Sequence, residues 1–177
     1  MAEGFEAGGH NGREETTTFC LISQVCASTS LPVIAAGGIA SGKACLAAQV
    51  LGAEGVQIGT LFALSEESSA SQEFKQRCTA LSEGDTMLCL KKLSPSRLVK
   101  NELYQRIAEA ENNGAEKDEL LAILGEKSTR RGIFDGDVVN GELEIGQIAS
   151  AIKKVEPVSA IMERLVDEYN NARKKLS

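Results

Sequence analysis

Two short apolar runs, each ending in small residues, constrain this chain more than any other feature. Residues 31–36 run without polar alternation into Gly37-Gly38, and residues 55–58 run into Gly59-Thr60. Such runs are typical of parallel strands that are buried on both faces. A helical pattern over residues 42–51 separates them. This order predicts an α/β fold with right-handed crossovers, in which both small-residue loops lie at the carboxyl ends of their strands.

The remaining periodicity predicts mostly helices. Helices are expected at about residues 18–27, 70–81, 94–111, 116–124, 147–154 and 156 onward, with a third strand at 86–90 and a loop at 127–141. The helix at 94 is placed there because Ser94 and Pro95 suit its N-cap and first helical position. The last helix carries an amphipathic stripe that we expect to pack against the domain. The stripe consists of Val158, Ile161, Met162, Leu165, Val166 and Tyr169.

Composition narrows the class of protein. The chain has 177 residues, 42% of them apolar, and a net charge of −6. This size suits one domain, or one with a small appendage. The negative charge argues against nucleic acid as a partner, since phosphates need a basic face. No apolar run is long enough to span a membrane, and the acidic, glycine-rich start does not resemble a signal peptide. We therefore expect a cytoplasmic protein.

Cysteine and histidine usage excludes several kinds of site. The five cysteines are odd in number and form no C-x-x-C pair. They are expected to be buried free thiols in a reducing compartment. His10 is the single histidine. A two-histidine metal site is therefore excluded, as is a serine–histidine triad built on any other histidine, and no metal site is predicted.

The segment around His10 is rich in glycine. Gly8, Gly9 and Gly12 flank the histidine and allow the backbone to take positive φ and a planar ligand to come close. One interpretation is that the loop presents the imidazole for binding or catalysis. The other is a surface loop in which the histidine has no role.

The histidine segment resembles a known family. It reads A-E-G-F-E-A-G-G-H-N-G, and it is similar to the histidine loop of nitronate monooxygenases and flavin-dependent enoyl-ACP reductases. Further blocks follow in the family's order: L-P-V-I-A-A-G-G-I-A, L-G-A-E-G-V-Q-I-G-T, F-D-G-D and G-E-L-E-I-G-Q-I. The resemblance implies an FMN enzyme on a TIM barrel. Residues 1–111 would form the C-terminal half of the (β/α)8 barrel, and residues 112–177 an appended helical region that packs on it.

The resemblance also implies roles for single residues. His10 matches the active-site histidine, Glu3 an acidic residue near the flavin ribityl chain, and Gly8 a backbone position close to the flavin. The positions matching the FMN-phosphate site are Gly37, Gly38, Ile39, Gly59 and Thr60. Backbone N–H groups in such loops bind phosphate without basic side chains. Glu6 would either hydrogen-bond within the loop and hold one tautomer of His10, or be solvated.

The activity implied is that of an FMN-dependent oxidoreductase. Reduction of trans-2-enoyl thioesters with NAD(P)H, as in fatty acid biosynthesis, is the first expectation, and oxidation of nitronates with O2 is the alternative. An alternative of another class is a non-catalytic half barrel that binds a phosphorylated ligand or a partner chain. A complete barrel has eight strands and typically ~250 residues, so the first half is expected to be missing. A fragment is favoured over pairing with a separate N-terminal chain or over a homodimer.

Overall fold

The computed structural model describes residues 1–176 and contains two small three-stranded sheets packed among helices. The strands are β1 (Ala2–Glu3), β2 (Gly9–His10), β3 (Ile34–Ala36), β4 (Gly55–Gln57), β5 (Thr86–Cys89) and β6 (Ser96–Val99). The helices are α1 (Thr18–Ser28), α2 (Gly42–Val50), α3 (Thr60–Ala63), α4 (Gln72–Thr79), α5 (Glu102–Asn112), α6 (Lys117–Leu124), α7 (Ser128–Ile133) and α8 (Val158–Leu176). A 3-10 helix spans Gln147–Ala151.

The parallel sheet confirms the prediction from the apolar runs. Its strand order is β1-β3-β4, and both pairings are parallel. Strand β3 is central, and its Ala35 and Ala36 are buried. Helices α1 and α2 cover the sheet with a core of mostly small residues. Within residues 1–176, β1 and β4 each pair with β3 alone, so each has one unpaired edge.

The antiparallel sheet corrects two predictions. Residues 86–90 do form a strand, but β5 pairs with β6 rather than joining the parallel sheet, and the strand order is β2-β6-β5. The helix predicted from Ser94 is wrong at its start, because residues 96–99 form β6. That helix, α5, begins at Glu102, where the Asn101 side chain caps it by accepting a hydrogen bond from the Tyr104 N–H at 3.0 Å. A proline after serine therefore opened a strand here, and an asparagine supplied the cap.

Two further segments differ from expectation. The loop predicted over 127–141 contains α7. Gly132 in that helix lies against residue 142, since a Cβ added there would come within 2.3 Å of the Glu142 carbonyl oxygen. The helix predicted over 147–154 is the shorter 3-10 helix. Contacts with distant parts of the chain determine the structure of both segments. Local periodicity in the sequence carries no information about such contacts. The chain division at residue 111 stays a prediction.

Helix α8 lies along α2. Gly42, at the start of α2, allows the close approach, because a Cβ there would lie 2.2 Å from the Leu165 carbonyl oxygen. Ile161 and Leu165 are buried, which confirms packing for that part of the stripe, whereas Met162 and Val166 are about half exposed. The apolar stripe is thus only partly covered by residues 1–176.

All five cysteines are free thiols, as expected, but they are not all buried. Cys78 and Cys89 are buried, and burial raises the pKa of each thiol to about 12. Cys26 and Cys45 are half-buried and Cys20 is exposed, which corrects the expectation for these three residues.

None of the helices within residues 1–176 combines the length and the apolar character that crossing a membrane requires.

Candidate active site

The histidine loop connects the two sheets. Residues 2–3 belong to the parallel sheet, and residues 9–10 pair antiparallel with β6, which puts Gly9 opposite Arg97 and His10 opposite Ser96. Gly9 has a φ of +72°, a conformation that favours glycine. The Asn11 N–H donates to the Pro95 carbonyl at 2.7 Å and extends this pairing. His10 is exposed.

Arg97 fixes the outer part of this loop. Its guanidinium donates to the Phe5 carbonyl oxygen from Nε at 3.2 Å and from Nη2 at 2.9 Å. The guanidinium carbon also lies 4.9 Å from the centroid of the Phe5 ring, within the range of a cation–π contact. Burial lowers the pKa of Arg97, while the nearby charges of Glu6 and Glu15 oppose that shift. A buried cation thus ties the loop to β6.

Glu6 has a structural partner other than the histidine. Its carboxylate accepts hydrogen bonds from the Thr18 N–H at 3.0 Å and from the Thr18 hydroxyl at 2.8 Å. It therefore caps the start of α1, where a negative charge is favourable. Neither alternative expected for Glu6 is observed within residues 1–176, because its hydrogen-bond partner is Thr18, the first residue of α1, and not His10.

The first glycine loop packs directly on the histidine loop. The Gly4 N–H donates to the Ala36 carbonyl at 2.9 Å. Gly37 and Gly38 have φ values of +94° and +67°. A Cβ at Gly37 would lie 2.7 Å from the Gly4 carbonyl oxygen, so both conformation and space require glycine there. The Thr18 hydroxyl, 3.0 Å from the Gly37 carbonyl oxygen, completes the junction.

A third segment, residues 144–147, closes the site, and sequence reasoning assigned no role to it. The Gly146 N–H donates to the Thr60 hydroxyl at 3.0 Å, and the Gln147 N–H donates to the Glu6 carbonyl at 2.8 Å. Gly8 lies so close that a Cβ there would come within 2.4 Å of the Ile145 carbonyl carbon. The signal that would have found this segment was the G-E-L-E-I-G-Q-I block, which was used only for the resemblance.

These segments surround a cavity of about 240 Å³. Seven of the eight predicted site residues line it, namely Glu3, Gly8, Gly37, Gly38, Ile39, Gly59 and Thr60. His10 does not belong to the lining but follows Gly9 on β2, beside it. The structure therefore brings together residues from three distant parts of the sequence; the roles assigned to them stay predictions.

The chemistry of this cavity fits a phosphate held by backbone groups. No lysine or arginine of residues 1–176 lines it. The N–H groups of Gly38, Ile39 and Gly59 donate no hydrogen bond to other residues of that range. The start of α2 is not available for this purpose, because the Gly42 N–H already donates to a carboxylate oxygen of Glu168 at 2.8 Å. The two small-residue loops thus offer N–H groups that a phosphate could accept hydrogen bonds from.

Glu144 adds to the cavity a carboxyl group that the sequence analysis did not predict. It lies next to β6, opposite Leu98, and lines the cavity. Burial raises the pKa of its carboxyl group, the charge of Glu142 raises it further, and His10 opposes the shift. Among residues 1–176, the ionisable side chains that line the cavity are therefore Glu3 and Glu144, and His10 lies near Glu144.

Comparison with known proteins identifies the family to which this chain belongs. The profile of the nitronate monooxygenase family matches residues 1–168. This chain belongs to the nitronate monooxygenase family. A "probable nitronate monooxygenase" of Staphylococcus haemolyticus is 40% identical over 64% of this chain and 34% of its own length. Its counterpart in Staphylococcus aureus (strain Newman) is 31% identical over 96% of this chain and 50% of its own length.

Solved structures place this family member in an α/β fold whose neighbours are TIM-barrel proteins. FabK from Thermotoga maritima superposes with a TM-score of 0.91 and 38% identity, over 98% of this chain and 55% of that one. A nitroalkane oxidase from Streptomyces ansochromogenes superposes with a TM-score of 0.80 and 27% identity, over 99% of this chain and 52% of that one. The chain thus spans about half the length of these relatives, or less.

Proposed function

We propose that this chain carries the phosphate-binding loops and the histidine of an FMN-dependent oxidoreductase that reduces trans-2-enoyl thioesters with NAD(P)H. The observation that supports it best is the convergence of the histidine loop with both small-residue loops around one cavity. FMN, when bound, supplies the two-electron redox chemistry, and the protein supplies position and protons. The half-barrel architecture is part of this proposal, because the parallel sheet has three strands and two unpaired edges within residues 1–176.

Each part of the site has a distinct task in this proposal. The N–H groups of Gly38, Ile39 and Gly59 hold the phosphate. The Glu3 carboxylate accepts hydrogen bonds from ribityl hydroxyls, and Gly8 leaves space for the flavin ring. His10 either binds the thioester or, through an imidazole nitrogen, takes part in the proton transfer to the substrate α-carbon. Its exposure at the end of β2 leaves it accessible to a substrate.

Nitronate oxidation is the second candidate, and the family profile and the names of the curated relatives favour it. In that reaction His10 would act as the base or orienting group near the nitronate α-carbon; the nitronate, in place of NAD(P)H, would supply the electrons, and O2 would accept them. The two candidates separate in one assay. NAD(P)H oxidation that depends on an enoyl thioester supports reduction, whereas O2 consumption that depends on a nitronate, without NAD(P)H, supports the monooxygenase.

Because the chain spans about half of its relatives, full activity is proposed for an assembly in which the open sheet edges are covered. A separate N-terminal barrel half and a second copy of this chain are the two partners considered. Addition of a recombinant N-terminal half should then raise turnover. If neither activity nor FMN binding is detected after the N-terminal half is added, the chain is better described as a non-catalytic half barrel.

A flavin titration of the 177-residue chain tests the cofactor part of the proposal. We expect FMN fluorescence to be quenched on binding, and Gly37→Ala to weaken binding at least ~10-fold, a loss of about 1.4 kcal/mol. The reason is that alanine is strained at a φ of +94° and contacts the Gly4 carbonyl. Gly12→Ala is the matched control, since nothing lies within 4 Å of an added Cβ there. Equal affinities of the two variants would contradict the assignment of the phosphate loop.

A further inference from the structure

Glu144 and His10 are far apart in the sequence, but the segments that carry them both pair with strand β6. Strand β6 is the common neighbour, with Gly9 opposite Arg97 and Glu144 opposite Leu98. The Glu144 carboxyl group occupies the space above Gly9 that a side chain would take, because a Cβ there would lie 3.3 Å from both Cδ and Oε2. The absence of a side chain at Gly9 thus admits a carboxyl group next to the histidine.

Few groups near the Glu144 carboxyl group can compensate a negative charge on it. Among residues 1–176, no side chain or backbone group donates a hydrogen bond to it, and no ion pair includes it. The cavity that it lines has a second carboxyl group, Glu3, and no basic side chain. Glu142 adds further negative charge near it, and His10 is the positive counterpart when protonated. When Glu144 is ionised, a negative potential is therefore concentrated at the histidine end of the cavity.

A negative potential acts differently on the two proposed substrates, a nitronate and an enoyl thioester, because they differ in charge. A nitronate is an anion, and a carboxylate within a few ångströms repels it, more strongly in a partly desolvated cavity than in water. An enoyl thioester is uncharged at its reacting atoms and is not repelled. Removing one charge from such a cavity is expected to change the affinity for an anion by about tenfold and that for a neutral molecule little.

We propose that Glu144 is a specificity-determining residue, whose carboxylate excludes anionic ligands from the histidine end of the cavity and so selects uncharged unsaturated acceptors. This inference rests on the proposed function in one respect: the substrate must bind beside the FMN, at the histidine end of the cavity and away from the small-residue loops that hold the phosphate. It deepens that function by naming the substrate class through its charge. It also assigns a role to a residue that neither the histidine loop nor the small-residue loops contain.

The test uses a matched pair of probes, crotonamide and crotonate, which share size and unsaturation and differ in charge. Binding to the full chain is followed by NMR through the ring signals of His10, which is the single histidine. We expect crotonate to bind the unsubstituted chain about tenfold more weakly than crotonamide. In Glu144→Gln the two affinities should converge to within about threefold, because crotonate improves. Glu144→Asp keeps the charge and should keep most of the preference.

Glu119→Gln is the control, since it removes the same charge from an exposed position on α6 and should leave the preference unchanged. The proposal is overturned if Glu144→Gln keeps the tenfold preference, if Glu119→Gln abolishes it equally, or if neither probe binds the unsubstituted chain. FMN binding is measured separately. Charge selection without FMN binding refutes the cofactor proposal and supports the role of Glu144, whereas FMN binding without charge selection does the reverse.

Discussion

The two sheets of this molecule differ in how completely they are packed. The parallel sheet has strands of two or three residues, two unpaired edges within residues 1–176 and a core of mostly small side chains. In the antiparallel sheet, all four residues of β6 are buried. That sheet also has its own core with α5 and α6, formed by Cys89, Leu90, Leu98, Leu103, Ile107, Ala110, Ala115 and Leu120. The proposed cofactor loops lie on the less completely packed sheet, where unpaired edges invite a partner strand.

The strongest test of this contrast is a pair of neighbouring leucines on α6. Leu120 is fully buried in the antiparallel-sheet core, and Leu121 is 52% exposed. Leu120→Ala should lower the free energy of unfolding by about 2–5 kcal/mol, and Leu121→Ala by less than about 0.5 kcal/mol. Urea denaturation followed by circular dichroism measures both.

FMN titration of the same two variants sharpens the comparison. If the two sheets are separate packing units, Leu120→Ala still binds FMN at urea concentrations that already unfold the antiparallel-sheet core. Loss of FMN binding at the same urea concentration as unfolding of that core would show instead that the regions unfold as one cooperative unit.

Arg97 joins the two regions, and its substitution should have the second largest effect. Arg97→Lys keeps a positive charge but loses the two-pronged donation to the Phe5 carbonyl. We expect a loss of about 1.5–3 kcal/mol in the stability of the histidine loop. Amide hydrogen exchange should rise at least ~10-fold in residues 5–10 while the ladder between β5 and β6 stays protected. Uniform acceleration throughout the chain would argue against a local clamp.

The smallest expected effect concerns Glu156, whose carboxylate pairs with Lys154 at 2.8 Å and with Arg164 of α8 at 3.0 Å. The hydrogen bond from Lys154, and then Arg164, hold the pKa of Glu156 below its ordinary value. A depressed pKa stabilises the folded protein above the unfolded-state value and loses that effect as pH falls through the folded-state value.

Glu156→Gln should therefore cost about 0.5 kcal/mol at pH 7 and nothing once the pH lies below the folded-state pKa of Glu156. Urea unfolding at pH 7 and at the lowest pH at which the chain stays folded measures this difference. Because Arg164 lies on α8, the loss should appear as faster exchange in α8 and not in α5 or α6. A constant difference at both pH values would mean that the carboxylate charge is not responsible.

The parallel sheet was predictable because its determinants are local. Residues 31–36 and 55–58 are apolar without alternation, which indicates buried strands, and Gly37-Gly38 follows directly. The same holds for α6, which ends at Gly125 as predicted, with a φ of +71°. Seven of the proposed site residues line one cavity because they lie at the ends of these strands and in the loop that follows β1.

The antiparallel region was not predictable in the same way because distant contacts determine it. Ser96 and Arg97 are polar, yet both are buried, and Arg97 is accepted there because the Phe5 carbonyl and ring satisfy it. Glu144 approaches His10 only through the pairing of both segments with β6. No periodicity within a short window carries that information, and a charged strand residue indicates exposure unless its partner is known.

The pairing of β2 with β6 places His10 on one sheet while the small-residue loops lie on the other. The distance between the His10 imidazole and the small-residue loops is therefore determined by how the two sheets pack against each other. That interface includes the contacts of Gly8 with Ile145 and of Phe5 with Arg97. Substitutions at these contacts can thus change the spacing between the histidine and the small-residue loops while all of those residues stay the same.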